Sequence, residues 1–262
     1  NGTFDWVYEE EFGCRDGFRW SPDSKKIAFW QVDATKVRDY FMLNTTDSVY
    51  SRIIPVEYPK VGQPPSPVRI GVITISDDDI KWMNVPGDPQ QHYIPRMEWA
   101  NNSSEVVLQQ LSRKQNESKL FYCNATTGTA DNFYTENDKA FIDIKSRWND
   151  DDPTGWEWLN GGKNFLWVSE KDGWRHLFLE SRDGKKETLI TKGDYDIANI
   201  ACIDDRNNYV YFMASPNSAI QLYLYRTKMD GKGKLELLSP STLQGTHDYN
   251  ISPTAKYALH SF

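Results

Sequence analysis

A repeat runs through this chain at five places, and it leaves few folds open. Trp20-Ser21-Pro22, Trp99-Ala100-Asn101, Trp158-Leu159-Asn160, Ile203-Asp204-Asp205 and Ile251-Ser252-Pro253 each set a large apolar residue ahead of a polar, turn-prone stretch. At the seventh position after each anchor a new β-type run starts: Ile27-Ala28, Val106-Val107, Phe165-Leu166, Val210-Tyr211 and Ala258-Leu259. Each anchor and its follower therefore predict a β-hairpin. The anchors stand 79, 59, 45 and 48 residues apart, and the two shorter intervals match the ~40 to 50 residues of a four-stranded propeller blade.

A second hairpin is predicted behind each of the first four. Residues 120–124 turn through Thr126-Thr127-Gly128, 176–180 through Arg182-Asp183-Gly184, and 222–226 through Met229-Asp230-Gly231. Residues 68–75 and 80–85 flank Asp77-Asp78-Asp79 in the same way. Glycine after Asp or Thr supplies the positive φ that tight turns between alternating apolar runs need. Four hairpin pairs and a trailing fifth opener predict an all-β chain, a partial β-propeller of four-stranded blades over residues 1–262, with material for about five or six blades. The 10 Trp and 14 Tyr fit this, since blade packing against blade consumes wide, flat side chains, and most are expected in the core.

Two intervals are stretched. The longest contains residues 58–67, whose prolines cannot donate to a ladder, so an extended surface connection within a blade is expected. The next contains residues 142–153, where the acids ahead of Pro153 read as a turn. A calcium loop would space its acids alternately around a glycine, and this run does not.

Composition removes several function classes. A net charge of −7 with scattered Lys and Arg argues against a nucleic-acid partner. No apolar run exceeds six residues, far below the ~18 that a membrane-spanning helix needs. Cys14, Cys123 and Cys202 are 109 and 79 residues apart, no zinc pattern and no disulfide framework; one bridge with a thiol left over is open, and three buried thiols are expected. His92, His176, His247 and His260 are equally dispersed, so neither a metal nor another cofactor is expected. No signal peptide opens the chain, which begins in mid-phrase and reads as a segment of something longer.

What remains is Asp5-Trp6-Val7-Tyr8-Glu9-Glu10-Glu11, three consecutive carboxylates between an aromatic run and the first anchor. Adjacent glutamates repel and are common on plain surface. Their concentration here asks for a cation. If the segment were a strand, Glu9 and Glu11 would share a face; a helical turn places the acids differently, and spacing alone leaves the choice open.

This segment, with the Trp-Ser-Pro-Asp opener after it, resembles the double-glutamate segment of the dipeptidyl peptidase IV family, a branch of the prolyl oligopeptidase superfamily. Further likeness comes from Pro55-Val56-Glu57-Tyr58-Pro59-Lys60, Tyr93-Ile94-Pro95-Arg96-Met97-Glu98-Trp99, Arg113-Lys114-Gln115-Asn116 and Ser169-Glu170-Lys171-Asp172-Gly173-Trp174-Arg175-His176, spread over nearly the whole chain. The resemblance implies that Glu10 and Glu11, on a short helical excursion from the propeller, hold the α-ammonium of a short peptide with a free amino terminus. It implies an exopeptidase releasing Xaa-Pro or Xaa-Ala dipeptides, with the propeller also restricting access to the active site. Family members close about eight blades, so further blades are expected outside this chain.

The family's catalytic serine sits in a Gly-x-Ser-x-Gly elbow of an α/β-hydrolase domain behind the propeller. That pentapeptide does not occur here, so no catalytic residue is assigned and the hydrolase domain is expected elsewhere in the same polypeptide. The Tyr-Ile-Pro-Arg-Met-Glu-Trp form looks bacterial, which implies a periplasmic or extracellular location, with a cell-surface ectodomain as the alternative. Members also dimerise partly through a propeller extension, so a homodimer is open, though the sequence does not locate the extension.

Paired carboxylates suit such a task. Releasing dipeptides means measuring two residues from the free end, about 7 Å at about 3.5 Å per extended residue. A carboxylate 4 Å from an ammonium gains on the order of 4 kcal/mol at an effective dielectric near 20, before desolvation. A peptide without the amine leaves both acids unpaired, which rejects it. Two rival readings are a non-catalytic propeller that docks protein partners and a propeller glycosidase. The latter needs acids about 5 to 9 Å apart, which consecutive glutamates suit poorly.

Overall fold

The computed structural model describes residues 1–76, 78–144 and 156–262, in two compact units, Asn1–Ile144 and Lys145–Phe262. The first opens on a π-helical turn, Val7–Glu11, and continues through β1 (Phe18–Trp20), β2 (Lys26–Val32), β3 (Asp39–Asn44), β4 (Arg52–Glu57), β5 (Val68–Thr74), β6 (Ile80–Trp82), β7 (His92–Trp99), β8 (Glu105–Ser112), β9 (Glu117–Asn124) and β10 (Ala130–Asn137). The second carries β11 (Glu157–Leu159), β12 (Asn164–Ser169), β13 (His176–Ser181), β14 (Glu187–Leu189), β15 (Ile197–Asp204), β16 (Tyr209–Ala214), β17 (Tyr223–Lys228), β18 (Glu236–Leu237), β19 (Asp248–Ile251) and β20 (Ala258–Ser261). Among the described residues no helix is long and apolar enough to cross a membrane.

The strands form four antiparallel four-stranded sheets, β1-β2-β5-β6, β10-β9-β8-β7, β11-β12-β13-β14 and β15-β16-β17-β18, and β19 pairs with β20. This is the all-β, blade-by-blade architecture of a propeller fragment. The five-fold repeat is reproduced residue for residue. Trp20 pairs with Ile27, Trp99 with Val106, Trp158 with Phe165, Ile203 with Val210, and Ile251 with Ala258. Seven positions is thus the distance at which the chain, having turned, comes back opposite its anchor. Each of the five turns contains a left-handed residue, Ser24, Asn101, Asn160, Asn208 or Ala255, with φ between 51° and 60°. Asn, the non-glycine residue that tolerates this region best, fills three of them.

The second hairpins also turn where expected. At Gly128 the glycine is required, because φ is 78° and an added Cβ would lie 2.3 Å from the Trp82 carbonyl oxygen. The middle strands carry the cores. In the first unit Tyr8, Trp30, Ile70, Ile94, Met97 and Leu108 are sealed from solvent; in the second Leu177, Val210, Phe212 and Tyr225 are. Each such side chain contributes about 1.5–3 kcal/mol by leaving water. Trp156, Trp158, Phe165 and Trp167 pack ring on ring, with neighbouring centroids 5.5–6.4 Å apart. All three cysteines are buried and unbridged. Burial pushes the Cys14 thiol up to about 11 and that of Cys123 up to about 12, which leaves both inert at neutral pH.

The structure adds one element that the sequence did not separate. Between β2 and β5 a hairpin of β3 and β4 forms a two-stranded sheet of its own, outside the four-stranded sheets, and the proline-rich residues follow it. Its apolar residues face both sides, and Pro55 lies inside β4 opposite Phe41, so neither strand shows the alternation that marks a blade. Residues 59–64 are mostly exposed, as expected of a surface connection, but Pro65 and Ser66 turn inward. Asp77 of the acidic turn and residues 145–153 of the stretched interval lie outside the described residues.

Candidate functional site

The three glutamates sit on the π-helical turn, and its geometry follows from what lies on either side of them. Asp5 is 3% exposed and caps the start: its Oδ1 accepts the Tyr8 N–H at 3.1 Å and its Oδ2 accepts the Ser66 hydroxyl at 2.6 Å. Tyr8 and Phe12 point into the core, where Tyr8 stacks on Phe4 with centroids 5.9 Å apart and the Tyr8 and Phe12 rings each meet Tyr93 edge-on. The Tyr8 hydroxyl accepts the Ile94 N–H at 2.9 Å, and burial pushes its pKa well up, so it stays a neutral phenol. The turn closes with the Cys14 N–H on the Tyr8 carbonyl at 2.9 Å, after Gly13 at φ 64°. Two anchored aromatics thus bracket Glu9, Glu10 and Glu11, which are all exposed.

Among the described residues the carboxylates meet one cation, Arg15. Arg15 Nη1 donates to Glu9 Oε1 at 2.9 Å and to Glu10 Oε1 at 3.2 Å, with all three side chains about half exposed. The hydrogen bond to Glu10 is the chief reason the Arg15 guanidinium is held above its ordinary range, with Glu9 adding to it. Glu11 has no ion-pair partner among the described residues. The structure therefore brings Glu9 and Glu10 together on Arg15, and leaves Glu11 beside them facing solvent. The family resemblance singled out Glu10 and Glu11, spacing left the choice among the acids open, and the sequence reading missed Arg15; the signal was Gly13, which lets the chain double back so that a base just beyond it meets the acids. Chemically, the site is an outward carboxylate cluster, rigid at its backbone, with a net negative charge after Arg15 is counted and the capacity to hold a second cationic N–H group.

A separate buried cluster lies in the second unit. Glu180, 0% exposed, faces Glu187 across the β13–β14 pair, and Lys171 reaches both, its Nζ 3.6 Å from Glu180. Desolvation, then the facing Glu187, pushes Glu180 up to about 8 despite Lys171. Nearby, His176 Nδ1 lies 2.9 Å from Asp172 Oδ2. An unfolded glutamate titrates near 4.3, so the folded state holds a proton that the unfolded state has lost between about pH 4.3 and 8. The stabilisation from this group is complete below that window and disappears as pH rises through it. Glu180→Gln is therefore expected to flatten the decline of the second unit's stability between pH 5 and pH 8.5, read from urea midpoints. Parallel pH profiles for the two proteins would contradict the assignment.

The sequence profile described as the dipeptidyl peptidase IV (DPP IV) N-terminal region matches residues 1–262. Inactive dipeptidyl peptidase 10 of Mus musculus is 27% identical over 243 residues, covering 88% of this chain and 30% of that protein. Dipeptidyl-aminopeptidase B of Aspergillus niger is 25% identical across 100% of this chain and 31% of its own length. The crystal structure of Porphyromonas gingivalis dipeptidyl peptidase 4 is similar with a TM-score of 0.85 and 28% identity, over 100% of this chain and 35% of that one. The chain thus spans about a third of the length of these proteins.

Proposed function

Because this chain belongs to the dipeptidyl peptidase IV N-terminal region family, we propose that it is the substrate-recognition and gating propeller of a serine exopeptidase. In this reading Glu10 and Glu11 bind the α-ammonium of a short peptide, from which Xaa-Pro or Xaa-Ala dipeptides are released. An α/β-hydrolase domain of the same polypeptide supplies the catalytic serine, and the protein works in the periplasm or outside the cell. The observation that carries the reading is the outward glutamate cluster on a turn clamped from both sides. Arg15 supports it, because a guanidinium already sits on Glu10 Oε1 in the place where another cationic N–H group would be attracted. The test uses the full-length polypeptide and a Gly-Pro-anilide substrate with its amine free or acetylated. Cleavage confined to the free amine is expected; equal cleavage of both, or of neither, would remove the reading.

A second reading has an observation of its own. A matched relative bears the name inactive dipeptidyl peptidase 10, so a non-catalytic propeller that docks protein partners is the alternative. A Gly-x-Ser-x-Gly elbow in the full-length polypeptide separates the two.

We also propose that the β3–β4 hairpin is a homodimer contact. Tyr40 folds back on Tyr58 and Lys60, whereas Phe41, Leu43 and Ile53 are 67%, 64% and 65% exposed. An isolated two-stranded ribbon is marginal in water, so an uncovered apolar face on one favours a partner. Phe41→Glu with Leu43→Glu is expected to convert a dimer to a monomer in sedimentation velocity. A dimer that persists places the contact elsewhere.

A further inference from the structure

We infer that Arg96, at the end of a bulge in β7, is a positioning residue for the glutamate cluster, an inference that takes the recognition role of Glu10 and Glu11 as its premise. The pairing of β7 with β8 slips between Tyr93 and Arg96: Tyr93 faces Leu111 and Arg96 faces Gln109, so Ile94 and Pro95 together oppose Gln110. Two residues against one is a bulge, and it withdraws backbone groups from the ladder. Three of the groups it frees are taken up by the glutamate-bearing segment or its support. The Ile94 N–H goes to the Tyr8 hydroxyl, the Ile94 carbonyl accepts Trp30 Nε1 at 2.8 Å, and the Pro95 carbonyl accepts the Cys14 thiol at 3.4 Å. Proline at 95 has no N–H to leave unpaired.

Arg96 completes the arrangement. Its side chain is 4% exposed, and Nη1 donates to the Phe12 carbonyl at 2.6 Å and to the Pro95 carbonyl at 2.8 Å. Phe12 is the residue directly after Glu11, so the guanidinium ties the far end of the turn to the bulge, as Asp5 and Ser66 tie its beginning. A buried charge-assisted bond of this kind is among the stronger fixed contacts in a fold. Among the described residues the only cation the glutamate side chains pair with is Arg15, which is half exposed. Their position is inherited from the backbone on either side, and Arg96 holds the side nearer Glu11. Displacement of a binding carboxylate by about 1 Å can cost up to ~10²-fold, so loss of this tether is expected to appear in substrate binding.

The test measures KM and kcat separately for the Gly-Pro-anilide with full-length Arg96→Met, Arg96→Lys, Ser66→Ala and, as a control on the premise, Glu10→Gln. Arg96→Met is expected to raise KM about tenfold with kcat within about twofold, Arg96→Lys to recover part of the loss, and Ser66→Ala to raise KM by about threefold from the opposite end. A structural role alone would lower the active fraction, and with it kcat, while leaving KM where it was. Ser66→Ala removes no charge, so it reports even if Arg96→Met does not fold. If Glu10→Gln raises KM while the folded Arg96 and Ser66 variants do not, the inference fails and the recognition reading stands. If Glu10→Gln leaves KM unchanged, the premise fails and takes the inference with it.

Discussion

Replacing Glu10 and Glu11 by Gln in the full-length polypeptide is expected to lower kcat/KM for a Gly-Pro-anilide by on the order of 10³, each single change costing about 30-fold. The figure follows from charge. A carboxylate about 4 Å from an ammonium gains on the order of 4 kcal/mol at an effective dielectric near 20, and with about half of that surviving desolvation each acid is worth about 2 kcal/mol. Glutamine keeps shape and hydrogen-bonding capacity, so what is lost is the attraction between charges. Arg15 makes the two acids unequal. It draws on Glu9 and Glu10 through their Oε1 atoms and leaves Glu11 without a cation among the described residues. The larger single effect is accordingly expected at Glu11, in kcat/KM measured at low ionic strength where screening is least. A double variant within about threefold of the parent would mean that other groups hold the amine.

The largest effect on stability is expected at Trp30. Its ring is 1% exposed, lies edge-on to Phe4 with centroids 5.7 Å apart, carries the Arg19 guanidinium 5.5 Å from its centroid, and donates Nε1 to the Ile94 carbonyl. Trp30→Ala removes a core side chain and leaves a bulge carbonyl without its donor, at a cost of about 3–5 kcal/mol. At ~2–4 °C per kcal/mol for a unit of this size, the thermal transition of the unit that carries Trp30 should fall by about 6–20 °C. Trp30→Phe keeps most of the packing and loses only the hydrogen bond, about 1–2 kcal/mol. A Trp30→Ala transition within about 2 °C of the parent's would contradict the packing described here. Because Trp30 and Tyr8 grip the same bulge residue, Trp30→Ala should also weaken substrate binding in whatever fraction stays folded.

These residues show which parts of the fold and site the sequence made legible. The blades were, because a hairpin is local: an apolar anchor, a turn able to take a left-handed residue, and a partner seven positions later all lie within one short window. The glutamate cluster stood out as a candidate site, because three adjacent carboxylates are costly to place. The β3–β4 hairpin was not legible, since its apolar residues face both sides and Pro55 interrupts the pattern. Arg96 was not either, because it reaches Phe12 across 84 residues of sequence, a distance at which no periodicity carries information. Arg15 is the intermediate case, near the acids in sequence but brought onto them only by the turn at Gly13.

The central proposition is that carboxylates on this turn recognise the charged end of a peptide, and a cycle over both partners tests it most directly. Four values of kcat/KM are needed: the parent and the Glu10→Gln, Glu11→Gln double variant, each with the free-amine and the N-acetylated anilide. The account predicts a preference for the free amine of on the order of 10³ in the parent, collapsing to within about tenfold of unity in the double variant. An unchanged preference in the double variant would contradict it.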